Sequence, residues 1–188
     1  MGMRKIVYYP NKILRKKTSE IVVADKELLI DIQDLKEVLL DNQKQVAGLA
    51  APQIGLSRRF FGLLQGEKKE VNIYINPKIE AVFSERVRPM MIFSDGAREV
   101  FLEGCLSFPD MFGVIERYLK IGASWDEIEK GKLVRKKGQL KGIEAIAFQH
   151  EREHLDGILF IDYIESEGGE FFKWVDGKKI KWSVNKII

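Results

Sequence analysis

The chain has 188 residues, 45% hydrophobic and 31% charged, with a net charge of +3. That length supports one domain, residues 1–188, with a substantial core, and the charge balance does not call for a polyanionic partner. No apolar run reaches membrane-spanning length, MGMRKIVYYP lacks the apolar stretch of a secretory signal, and the single cysteine, Cys105, excludes an internal disulfide, so a cytoplasmic protein or a processed organelle form is expected.

In chain order, DKELLIDIQDLKEVLLD (25–41) reads as an amphipathic helix, with Asp25 as N-cap and Leu28, Ile32, Leu35 and Leu39 as its apolar stripe. AGLAAPQIG (47–55) sets small residues around one polar side chain, Gln53. Such a segment lets backbone approach a ligand while the amide donates to an oxyanion, or it is a tight loop with Gln53 in solvent. VNIYIN (71–76) predicts a strand stopped by Pro77, and Ser94-Asp95-Gly96 a hairpin between MMIF and REVFL. LKIGASW and KLVRK within 119–136 suggest another strand pair. The basic run KGKLVRKKGQLK (130–141) reads as a solvated hairpin with lysine on its outer edge, RNA contact being the alternative. A helix over about 142–155 is closed by Gly157, and FFKWVDGKKIKW is a hairpin on an Asp-Gly turn. The expected class is α+β: several short antiparallel strands and hairpins around a central helix, plus the N-terminal amphipathic helix.

That central helix carries both histidines of the chain, in QHEREHLDG (149–157). His150 and His154 stand one turn apart on one face and can share a metal ion, while Glu151 can reach a water on it, the H-E-x-x-H pattern of hydrolytic sites. Ile143, Ile146, Ala147, His150, Glu151 and His154 share that face. It is either a core stripe or the wall of an apolar pocket leading to the metal. Cys105, in LEGCLSFPD (102–110), is a small buried hydrophobe or the third ligand. Gly104 beside it permits close approach. A Cys-His₂ set would leave a fourth position open for water, as catalytic sites do.

Taken together, these segments resemble peptide deformylases. The signatures stand as Val46-Ala47-Gly48-Leu49-Ala50-Ala51-Pro52-Gln53, Glu103-Gly104-Cys105-Leu106-Ser107 and Gln149-His150-Glu151-Arg152-Glu153-His154, and YYPNKILRKKTSEI looks like the family's opening segment. The resemblance implies removal of the formyl group from N-formylmethionine at the start of new polypeptides. It implies Cys105, His150 and His154 as ligands of one divalent ion, Fe²⁺ in preference to Zn²⁺, Ni²⁺ or Co²⁺. Glu151 would be the proton carrier, and the Gln53 amide and Leu106 N–H the oxyanion donors. Ala47, Phe101, Ile143, Ile146 and Ala147 would surround the methionine side chain, and backbone at Ala47 and Gly48 would bind the peptide as an added strand. The partners implied are nascent N-formylmethionyl peptides and transiently the ribosome, with no membrane and no sequence-specific nucleic acid.

Four departures from the pattern are visible. Val46 replaces a glycine, and a β-branched residue does not tolerate positive φ. Glu153 replaces an aspartate, and Glu153 or Glu103 is expected to pair with Arg117 and brace the site. Residues 79–102 are longer than the family's, and the tail after Asp162 reads as a hairpin. Two competing readings are a peptidase drawing its third ligand from Glu165, Glu167 or Glu170, and a non-catalytic binding module.

Overall fold

The computed structural model describes residues 4–66 and 70–187. After an irregular N-terminal segment the chain forms α1 (Lys26–Asp41), β1 (Gly48–Ala50), β2 (Phe60–Gln65) and β3 (Glu70–Val82). Next come β4 (Arg86–Val87), β5 (Met90–Ile92), β6 (Arg98–Val100), β7 (Glu103–Cys105), β8 (Phe108–Gly113) and β9 (Arg117–Tyr118). The long strands β10 (Lys120–Glu129) and β11 (Lys132–Lys141) lead into α2 (Gly142–His154), α3 (Phe160–Glu167), β12 (Phe171–Val175) and β13 (Lys178–Lys181). The class is α+β with several antiparallel sheets.

Helix α1 starts where the Asp25 carboxylate accepts the Leu28 N–H at 2.7 Å, satisfying a donor the first turn leaves free. Leu28, Ile32, Leu35, Val38 and Leu39 are buried together with Leu49, Phe60 and Ile75 of the adjoining sheet. Each such side chain contributes roughly 1.5–3 kcal/mol by leaving water.

That sheet has the order β1-β2-β3-β10-β11 and is antiparallel throughout. The expected stop at Pro77 does not occur: β3 runs on to Val82. Asn76 takes φ 47°, and residues 76 and 77 together face Trp125, between the pairs Ile75–Asp126 and Lys78–Ser124. Proline's missing N–H therefore falls in a bulge, where the ladder is already interrupted. The Asn76 side chain secures the bend. Its Nδ2 donates to the Ile21 carbonyl and to Asp126, and its Oδ1 accepts the Ile21 N–H. The strands at 119–136 extend to 120–141, and β11, with Lys132, Lys137 and Lys141 exposed, is the sheet's edge.

A second sheet has the order β13-β12-β8-β7, and two separate pairs are β4 with β9 and β5 with β6. The C-terminal hairpin turns at Asp176 and Gly177, whose φ values of 50° and 73° are those of a turn matched to strand twist. The tail is not hairpin alone, because α3 precedes it. Its eight residues bury Phe160, Ile161 and Ile164, the Asp162 carboxylate accepts the Leu159 N–H, and left-handed Gly168 ends it. A helix this short carries too few turns to declare a period.

Helix α2 packs Ala145, Phe148 and Leu155 against Phe61, Tyr74 and Leu63. Beyond its last turn Ile158 N–H donates to the Glu153 carbonyl and Gly157 N–H to that of His154, closing the helix at left-handed Gly157. A Cβ there would lie 2.5 Å from the Arg15 carbonyl oxygen, so glycine is required twice over. Among the described residues no helix is long and apolar enough to cross a membrane.

Candidate active site

Cys105 ends β7, and His150 and His154 occupy the last turns of α2. Cys105 Sγ is 3.3 Å from His154 Nε2, which is 3.2 Å from His150 Nε2. The three ligand atoms lie within 4.8 Å of one another and all three residues are buried. An ion about 2.0–2.1 Å from two imidazole nitrogens in tetrahedral geometry holds them about 3.3 Å apart. The donor set and its spacing therefore fit one ion. Glu103 Oε1 meets His150 Nδ1 at 2.6 Å, which leaves His150 Nε2 facing His154 Nε2 at 3.2 Å. Glu165, Glu167 and Glu170 are absent from the cluster, the only such group of acids, histidines and cysteine among the described residues. Glu167 pairs instead with Arg86.

A buried ionic network stands behind Glu103. Arg117 donates to both Glu103 oxygens at 2.9 and 2.6 Å and to both Glu153 oxygens at 2.7 and 2.8 Å. Both carboxylates brace the arginine, where the sequence suggested one or the other. Burial alone would raise the Glu103 carboxyl, but Arg117 and His150 outweigh it and hold it well below the usual carboxylate range. Burial likewise works against the Arg117 charge, and the two glutamates more than restore it. His154 is pushed down by burial and by the neighbouring His150. Glu151 is pushed up to about 7 by burial, against the pull of His150, and its Oε2 is a buried oxygen with no partner.

Gln53 lies in the tight turn Ala51–Ile54 and is buried. Its Oε1 accepts the Ala50 N–H at 2.8 Å, which leaves Nε2 facing Cys105 Sγ at 3.3 Å and Ser107 Oγ at 3.4 Å. The amide cannot swing into solvent without releasing Ala50.

A cavity of about 370 Å³ opens over this centre. Ala47, Gly48, Phe101, Ile143, Ile146 and Ala147 line it together with Gln53, Cys105, Leu106, His150 and Glu151. Arg117, Glu153 and His154 lie behind the lining. Gly48 is forced by proximity, since a Cβ there would sit 2.6 Å from Leu63 and 2.8 Å from the Glu151 side chain. Strand β1 is the free edge of its sheet, although the Ala47 carbonyl already accepts the Leu64 N–H at 2.8 Å. Val46 is not among the residues of positive φ and packs partly buried on the α1 core, so its branching meets no strain.

Two contributors were not singled out from the sequence. Gln149 ties α2 to β9 by accepting the Tyr118 N–H and donating to the Tyr118 carbonyl. It sits inside a quoted motif, which was the available signal. Tyr163 donates to Glu153 at 2.8 Å across the turn at Gly157, and nothing local announces that contact.

Residues 3–169 match the model of the family described as polypeptide deformylase. The chain belongs to the polypeptide deformylase family. A peptide deformylase of Dehalococcoides mccartyi is 39% identical over 167 residues, 89% of each chain. The crystal structure of the Thermotoga maritima deformylase superposes with a TM-score of 0.70 at 34% identity, over 87% of this chain and 98% of that one. A Plasmodium falciparum deformylase gives 0.70 at 30% identity over 85% of each chain. The family-model match ends at residue 169, before β12.

Proposed function

We propose that this hydrolase works through the Cys105, His150 and His154 centre, and that residues 1–188 form one catalytic domain around it. The reaction itself follows from family membership: removal of the N-formyl group from nascent peptides, with release of formate. The observation that carries the site reading is the meeting of three buried ligand atoms within 4.8 Å beside the cavity.

When bound there, a divalent ion supplies a Lewis acid for the formyl carbonyl and lowers the pKa of water. Fe²⁺ is our reading of the resident ion, with Zn²⁺, Ni²⁺ or Co²⁺ as substitutes. Glu151 carries the proton. With a pKa raised to about 7, its carboxylate accepts a proton from the attacking water at neutral pH and then delivers it to the departing amine. The Gln53 amide, oriented by Ala50, and the Leu106 backbone N–H donate to the oxyanion as it forms. Glu103, Arg117 and Glu153 keep His150 in one tautomer and orientation.

The methionine side chain of the substrate lies among Phe101, Ile143, Ile146 and Ala147. The alternation of an antiparallel ladder leaves the Gly48 N–H and carbonyl turned away from β2, ready for an extended peptide. Ala47, whose carbonyl is engaged by Leu64, contributes its side chain to the wall. Its substrates fit a protein of the cytoplasm, or of an organelle that makes formylated chains, in transient contact with the ribosome. Residues 171–188 support that contact, holding five lysines and one acidic residue against 26 basic and 27 acidic side chains in the remainder. Such a surface meets phosphates without reading bases, and nothing in this reading calls for a membrane.

The test is formate release from formyl-Met-Ala-Ser by protein purified without oxygen and loaded with Fe²⁺ or Ni²⁺. Glu151→Ala should keep its metal and lose about 10²–10⁴-fold in rate. Folded, metal-loaded protein that releases no formate would hand the site to the non-catalytic reading.

A further inference from the structure

The bracing of His150 continues further than the metal-site reading needs. From His150 Nδ1 the contacts run to Glu103 at 2.6 Å, to Arg117 at 2.6 Å, to Glu153 at 2.7 Å and to the Tyr163 hydroxyl at 2.8 Å. Tyr163 stands on α3, across the Gly157 turn from the helix that bears the ligands. Its ring centroid lies 5.2 Å from the Arg117 guanidinium carbon and 5.5 Å from that of Arg86. Arg86 is itself held by both oxygens of Glu167, at 2.7 and 3.0 Å. One side chain thus touches the network twice, through its hydroxyl and through its ring.

The geometry points to Tyr163 as a positioning residue for the metal centre, acting through Glu153, Arg117 and Glu103 on His150. This rests on the reading of Cys105, His150 and His154 as ligands. The physical reason lies in Glu153. A glutamate has one more rotatable bond than the aspartate of the family pattern, and a carboxylate held only by Arg117 can pivot with it. The Tyr163 hydroxyl adds a donor from a second helix and removes that freedom. Arg117, clasped by both glutamates, then presents Glu103 to His150 at one place. Outer partners of metal ligands typically govern affinity by about 10–100-fold. Tyr163 is three contacts further out than Glu103, so a smaller factor applies, about three- to tenfold.

Tyr163→Phe removes the hydroxyl and keeps the ring. Three readouts on Co²⁺-loaded protein decide the matter: release of Co²⁺ to a chelator, the visible Co²⁺ spectrum of the thiolate-imidazole site, and the thermal midpoint. We expect three- to tenfold faster release and an altered spectrum, with the midpoint moved by no more than a few degrees. In a Glu153→Ala background the same substitution should add nothing, because the acceptor it serves is gone. Release at the wild-type rate would overturn the proposal. So would equal acceleration in both backgrounds, or faster release that merely tracks a lowered midpoint, since each makes Tyr163 a packing residue. Failure of the wild-type protein to take up Co²⁺ with thiolate character is a separate result and overturns the ligand reading itself.

Discussion

Arg117 is 2% exposed, and its four hydrogen bonds to Glu103 and Glu153 occupy all four oxygens of two buried carboxylates. The β5–β6 hairpin, which ends three residues before Glu103, is the opposite case. Its six ladder residues are all exposed, and each strand is hydrogen-bonded only to the other. Met90, Met91, Ile92, Phe93 and Val100 are apolar side chains left in solvent. The two regions meet at Phe101, whose N–H donates to the Pro89 carbonyl at 2.8 Å and whose side chain lines the cavity. The contrast teaches where this chain needs precision. A metal ligand must be held to fractions of an ångström, which takes a saturated polar network. A rim needs only to be present.

The sharpest way to break the contrast is Arg117→Ala. Removing the cation leaves Glu153 with no counter-charge and Glu103 with His150 alone, both buried, which costs about 3–5 kcal/mol. Denaturant unfolding should show that loss, and the protein should retain its metal poorly. A variant as stable and as well loaded as the parent would mean the network is incidental. Gly48→Ala tests the same precision from the cavity side. Its new Cβ would meet Leu63 at 2.6 Å and the Glu151 side chain at 2.8 Å. Overpacking of this kind costs about 1–3 kcal/mol. Because the carboxylate must move to make room, formate release should fall further than the stability loss accounts for.

What the sequence conveyed divides along the same line. Features set by neighbours were readable: the apolar stripe of 25–41, the turns at Asp95-Gly96 and Asp176-Gly177, and the α+β character. So was the group of residues suited to hold a metal, because Cys and His are rare here and their chemistry is narrow. Contacts between distant segments were not readable. Asn76 forms the bulge because Ile21 and Asp126 reach it from 55 and 50 residues away. Helix α3 exists because Phe160, Ile161 and Ile164 find a core that includes Leu14 and Phe171, not because its eight residues announce a period. Tyr163 reaches Glu153 only once the turn at Gly157 has brought α3 back across α2.

The smallest expected effect comes from the hairpin, and it sharpens the comparison by its size. Ile92 is 68% exposed and Met91 46%. Serine at either position removes little apolar surface from any neighbour, so each change should shift stability by no more than about 0.5 kcal/mol. Formate release from formyl-Met-Ala-Ser should also be unchanged, because Phe101 and Leu102, not the strand residues, face the cavity. Measured on one denaturant series with Arg117→Ala, the two changes should differ by several-fold in energy. A loss above 1 kcal/mol at Ile92→Ser would mean that the hairpin packs against part of this chain in solution. Its apolar side chains would then belong to the core, and the division between a braced centre and a free rim would fail at that point.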